Sequence, residues 1–174
     1  MNAMLQIAIN NVGVKEYDTN DADTSANNDG DEVRMYQSAT WLKPGAWPWC
    51  AAFMCHCLKE AGKDESFLKL INHNATFHEA WRCKDASAFG WIKWAKRLGL
   101  KVFDEQELAK AGDIVVFDFS HIGIVEKDQL PGKDYIETIE GNTNGKGERD
   151  SVTGDGVWRK VRKTNLVKNY IRLA

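Results

Sequence analysis

The sequence predicts an α+β fold, with N-terminal helices packed on an antiparallel β-sheet. Two observations carry this. Apolar residues recur at helical spacing through the first half of the chain, and the period then shifts towards two, the period of strands. Helices first and a run of strands afterwards, without alternation between them, argue for an antiparallel sheet. A chain of 174 residues, 43% hydrophobic and 28% charged, is the size and composition of one soluble domain, read here as spanning 1–174. There is no internal repeat and no linker.

The elements follow in order. Leu5, Ala8, Ile9 and Val12 share one helical face, and Gly13 supplies a C-terminal stop. Residues 17–32 are acidic and rich in Asn and Gly, which predicts a long loop. Pro44 and Pro48 forbid a helix between Trp41 and Trp49. From Cys50, the residues Ala51, Met54, Cys55 and Leu58 repeat at i, i+3, i+4 and i+7, so a short helix opens at Cys50 and ends near Gly62. Another runs from Ser87 to Leu98 and stops at Gly99. Asp113–Phe117 reads as a buried strand, and His121–Glu126 follows three residues later as its hairpin partner. Tyr135–Glu140 alternates as a third strand, and Val157–Val161 and Tyr170–Leu173 add two more.

Charge excludes some functions. The formal net charge is −2, so no basic field exists to hold nucleic acid. Arg159, Lys160, Arg162 and Lys163 surround Val161 and are expected to form the solvated face of a late strand. No apolar run reaches the roughly 18 residues needed to span a membrane. The first residues lack a basic stretch followed by an apolar one, so no Sec signal peptide is expected. The protein is expected to be a monomer, made in the cytoplasm.

The four cysteines are Cys50, Cys55, Cys57 and Cys83. Without a signal peptide, a disulfide framework is not expected. Cys55, His56 and Cys57 point in different directions from one helix, which makes a poor zinc chelate. Cys50 is different. A nucleophilic cysteine must reach its thiolate, which a helix N-terminus and a nearby imidazole both favour. The free N–H groups of the first helical turn also suit an oxyanion. Of His56, His73, His78 and His121, only His121 opens a strand, a rigid platform for a base. Glu140 ends the next strand, followed by Gly141 and Asn142, and pairing of neighbouring strands would set Glu140 or Asn142 beside His121. Such a set matches the logic of the Ser-His-Asp relay.

Four motifs extend this reading. They are Trp47-Pro48-Trp49-Cys50-Ala51-Ala52-Phe53, Gly112–Phe117, Ser120-His121-Ile122-Gly123-Ile124-Val125-Glu126, and Glu140-Gly141-Asn142-Thr143. Their order and spacing resemble the CHAP domains, which are similar to the NlpC/P60 peptidases of the papain-like group. Many CHAP domains carry Gly before the histidine, where this chain has Ser120. The resemblance implies a papain-like fold and cleavage of an amide in peptidoglycan. It assigns Cys50 as nucleophile, His121 as general base, Glu140 as its orienter and Asn142 as a supporting polar group. It implies bacterial peptidoglycan as the partner, and no required cofactor. The residues after Glu140 are reminiscent of phage endolysins, which are released from the host cytoplasm to act on the wall. An interbacterial effector amidase is a second expectation. A non-catalytic wall-binding or virion module on the same scaffold is a third.

Two further features bear on substrate and metal. Trp47 and Trp49 flank the nucleophile and are expected to line the substrate cleft, whereas Trp91 and Trp94, at i and i+3, are expected in the core. Asp21, Asp23, Ser25, Asp29 and Glu32 fall at positions 1, 3, 5, 9 and 12 of a calcium-loop template, with Ala26 where the template has Gly. A solvated acidic loop is the first expectation there, and a calcium site held by Asp21, Asp23 and Glu32 the second.

Overall fold

The computed structural model describes residues 2–16, 28–145 and 154–174. Helices precede strands, as the periodicity predicts. The helices are α1 (Ala3–Asn10), α2 (Asp31–Gln37), α3 (Cys50–Ala61), α4 (Glu65–Leu70), α5 (Ala75–Trp81) and α6 (Ala88–Arg97). The strands are β1 (Lys101–Phe103), β2 (Ile114–Phe117), β3 (Ile122–Val125), β4 (Tyr135–Thr143), β5 (Gly156–Lys163) and β6 (Val167–Arg172). They form one sheet in the order β1-β6-β2-β3-β4-β5, with every pair antiparallel. The fold class is therefore α+β.

Three helices were not apparent from periodicity. Asp64 caps α4 by accepting from Phe67 N, and Asn74 caps α5 by accepting from Phe77 N. Both are short, so one apolar face has little room to repeat. Helix α2 begins inside the stretch read as loop, at Asp31, where Val33 and Tyr36 turn into the core.

The central strands β2 and β3 are buried on both faces. Ile114, Val116, Ile122, Ile124 and Ile139 pack with α1, α3 and α6 in the main core. On the opposite face Val115, Phe117, Val125, Ile136 and Tyr170 form a second cluster. Strand β2 is thus buried at all four positions, as its unbroken apolar run requires. Trp91 and Trp94 are buried, as expected from their spacing. Helix α3 is buried along most of its length and lies against β3 and β4, which brings its first residue to the sheet. At Gly141 a Cβ would stand 2.7 Å from Phe53 Cβ and 2.9 Å from the Trp49 ring, so only glycine admits the helix this close.

The late basic strand turns Arg159 and Lys163 to solvent, as expected, but not Lys160 and Arg162. Val161 is 67% exposed, whereas Lys160 and Arg162 are 6% and 3% exposed. The alternation holds, but the cations at 160 and 162 face inwards. Each finds a buried oxygen there: Lys160 Nζ donates to Asn144 O at 2.8 Å, and Arg162 meets a carboxylate described below.

Candidate active site

Cys50 is the first residue of α3. Trp49 is the N-cap, and among the described residues no side-chain hydrogen bond caps this end. The first-turn N–H groups therefore lack helical acceptors, and the thiol starts from the positive end of the helix. Cys50 is 8% exposed and opens onto a cleft of about 440 Å³ shared with Trp41, Leu42, Trp47, Ser87 and Ser120.

His121 sits at the foot of β3, held by the β2–β3 hairpin. Phe117 N donates to His121 O at 2.8 Å, and the intervening turn puts Ser120 at φ +61°. This is the left-handed conformation that a glycine would take without strain. Phe117 and Phe119 stack on the imidazole at centroid distances of 6.0 and 5.8 Å, fixing its plane. Nε2 donates to Glu140 Oε2 at 2.9 Å, which leaves Nδ1 for the neighbouring Cys50 side chain. Burial opposes a charge on the ring. Interactions with Cys50 and Glu140 outweigh it and raise the His121 pKa to about 9.

Glu140 is fully buried and has four contacts. Oε2 accepts from His121 and from Arg162 Nη2 at 2.6 Å, while Oε1 accepts from Arg162 Nε at 2.9 Å and Thr138 Oγ1 at 2.7 Å. Burial alone would raise its pKa, but Arg162 and then His121 hold it down at about 2. Arg162 in turn lies under Phe117 and Phe119, with its guanidinium carbon 5.5 Å from each ring. The two rings that orient the imidazole thus also cover the cation that orients the carboxylate.

Register explains how the carboxylate reaches the ring. Gly123 pairs with Glu140 across β3 and β4. A Cβ at Gly123 would lie 2.7 Å from Glu140 Cγ and 2.8 Å from Ile139 O. The missing side chain lets Glu140 lie across β3 towards His121, two residues back. Beyond Glu140 the β4–β5 register shifts, and Asn142 adopts φ +52° within that irregularity. Among the described residues no hydrogen bond joins Asn142 to the imidazole. Of the two groups expected beside His121, Glu140 is the one bonded to it.

The CHAP domain family model matches residues 42–142, more than half of the chain. The chain belongs to the CHAP domain family. A search of curated proteins finds no match. CHAP domains are cysteine amidases or peptidases of peptidoglycan, and that general activity and substrate come with membership. The match takes in Cys50, His121, Glu140 and Asn142 and ends before Arg162.

The structure corrects one cleft residue. Trp47 lines the cleft, with Nε1 donating to Lys43 O at 3.0 Å. Trp49 is fully buried, packs on Tyr36 at 5.6 Å and donates from Nε1 to Glu16 Oε1 at 2.7 Å. Its indole belongs to the core, because the N-cap position of α3 turns it under the helix, and it does not line the cleft. Of the calcium template, Asp21, Asp23 and Ser25 lie outside the described residues. Glu32 is exposed in the first turn of α2, and Asp29 is occupied by a two-point pair with Arg34 at 2.7 and 2.8 Å.

Arg162, Thr138 and Phe119 are site residues that sequence reasoning missed, and Arg162 bears the most on the chemistry. A signal was present: a carboxylate between Ile139 and Gly141 inside a strand needs a cation once buried, and the inward positions of β5 are the nearest source.

Proposed function

We propose that this CHAP domain hydrolyses an amide of peptidoglycan through a Cys50–His121–Glu140 relay, in the manner of a phage endolysin. One observation carries the reading. Cys50 heads α3, and His121 stands between it and a buried, fully hydrogen-bonded Glu140. His121 Nδ1 takes the thiol proton, and the thiolate attacks a stem-peptide carbonyl. The uncapped N–H groups at the start of α3 receive the oxyanion. The imidazolium then protonates the leaving amine, and water hydrolyses the thioester. Glu140 keeps the ring in orientation and stabilises its charge, while Arg162 and Thr138 keep Glu140 ionised and in place. The bond cut is the muramoyl–alanine amide or an amide within the stem or cross-bridge. As an endolysin the protein is made in the host cytoplasm and meets the wall after release.

Mass spectrometry of products from purified peptidoglycan tests this, with wild type beside Cys50→Ala. Free stem peptides from the wild type alone identify an amidase, and shortened or uncrosslinked stems still on muramic acid identify an endopeptidase. Equal product from Cys50→Ala would sink the relay. Binding to sacculi with no product from either protein would favour a wall-binding module.

A further inference from the structure

Beside the cleft lies a second pocket of about 300 Å³, whose lining includes Trp41, Arg82, Lys84, Asp85, Lys93 and Arg97. Trp41 and Asp85 line both cavities, so one wall serves the two. Trp41 is 66% exposed at this boundary.

The charges of this pocket are unequally used. Glu79 takes up two of the four cations: Arg82 donates to it at 2.6 and 2.8 Å, and Lys84 lies at 2.9 Å. Asp85 is spent on the start of α6. Its Oδ1 accepts from Ser87 N and Ser87 Oγ at 2.9 and 2.8 Å, and its carboxylate sits so close over Gly90 that no Cβ fits there. Lys93 and Arg97 remain. They stand at i and i+4 on α6, both exposed, and neither has an ion pair among the described residues. Two like charges one helical turn apart repel each other. A pocket that keeps them together beside a cleft is complementary to an anion.

We propose that this pocket is a subsite for a free carboxylate of the peptidoglycan stem peptide. The inference rests on the peptidoglycan reading above. Stem peptides carry carboxylates within a few bonds of the amides that hold them to glycan and to each other. A stem whose scissile amide lies at Cys50 can therefore place a carboxylate past Trp41, where Lys93 and Arg97 meet it. The subsite would make the enzyme prefer walls with free stem carboxylates over walls in which these are amidated.

Calorimetry with two synthetic stem peptides tests this, one with free carboxylates and one with the same groups amidated. The full chain carrying Cys50→Ala is used, so that neither peptide is consumed. The free acid should bind about tenfold more tightly, the size expected of two partly exposed charge pairs. Adding Lys93→Gln and Arg97→Gln should bring the two peptides to parity and leave the amidated one unchanged. Equal binding of both peptides, binding of neither, or a preference that survives the double substitution would overturn the subsite. Wild-type turnover of whole peptidoglycan separates the two claims. Product without a binding difference removes the subsite alone. A binding difference without product removes the hydrolase reading and leaves an anion site.

Discussion

Arg162 grips Glu140 at two points, Nε to Oε1 at 2.9 Å and Nη2 to Oε2 at 2.6 Å, with both side chains almost wholly out of water. A buried pair of this kind adds little net stability over an apolar replacement, yet breaking it is costly because one charge is left alone. Arg162→Met should therefore cost about 3 kcal/mol or more of stability. It should also lower kcat more than it raises KM, because Glu140 loses its anchor while the cleft is untouched. The double variant with Glu140→Gln should recover part of the stability loss, by roughly 1–3 kcal/mol of coupling in a denaturant double-mutant cycle. Additive losses would show that the pair is not the unit described.

Gly123 is a space reserved for Glu140. Gly123→Ala puts a methyl 2.7 Å from Glu140 Cγ and 2.8 Å from a backbone oxygen that cannot move aside. Overpacking of this kind costs about 1–3 kcal/mol. The larger effect should fall on turnover, since the displaced carboxylate loses its 2.9 Å bond to His121. Wild-type turnover in a folded Gly123→Ala protein would contradict this.

Much of this arrangement was legible in the sequence, and the exceptions have physical causes. The apolar repeat after Pro48 marks the start of α3 at Cys50, because proline ends one conformation and the 3.6-residue period begins another. His121 and Glu140 follow from strand order, since adjacent antiparallel strands must bring their residues together. Alternation alone does not say which face of a strand is buried. In β5 the charged residues pointed to solvent on polarity, but Arg162 and Lys160 answer buried oxygens contributed by β4 and the residue after it. Such pairing is tertiary, so its mark lies in β4, in the carboxylate between Ile139 and Gly141, and not in β5 itself. Trp49 was misplaced for the same reason: its partner, Glu16, lies 33 residues away.

Ser120 bears a left-handed backbone at φ +61° in a turn where glycine is unstrained. A non-glycine residue pays roughly 1 kcal/mol for that conformation. The greater freedom of glycine in the unfolded chain offsets part of the gain. Ser120→Gly should thus be between neutral and about 1 kcal/mol more stable, with the His121 titration unchanged. A loss of more than about 1 kcal/mol would mean that the Ser120 side chain makes a contact worth more than the strain.

The coupled charges of His121 and Glu140 set a pH window. The His121 pKa is raised from 6.5 to about 9, so its stabilising contribution is complete below 6.5 and is lost as pH rises through about 9. The Glu140 pKa is lowered from 4.5 to about 2, so its contribution is complete above 4.5 and is lost as pH falls through about 2. The cluster therefore stabilises the fold most between 4.5 and 6.5 and weakens on both sides. The alkaline limb depends on Cys50, first among the interactions that raise the imidazole. In Cys50→Ala, the His121 ring should titrate at lower pH by NMR, and the alkaline loss of stability should begin earlier. Glu140→Gln should shift the ring the same way, because the second raising interaction is gone. A His121 midpoint that stays put in both variants would mean that neither side chain interacts with the imidazole strongly enough to form a relay.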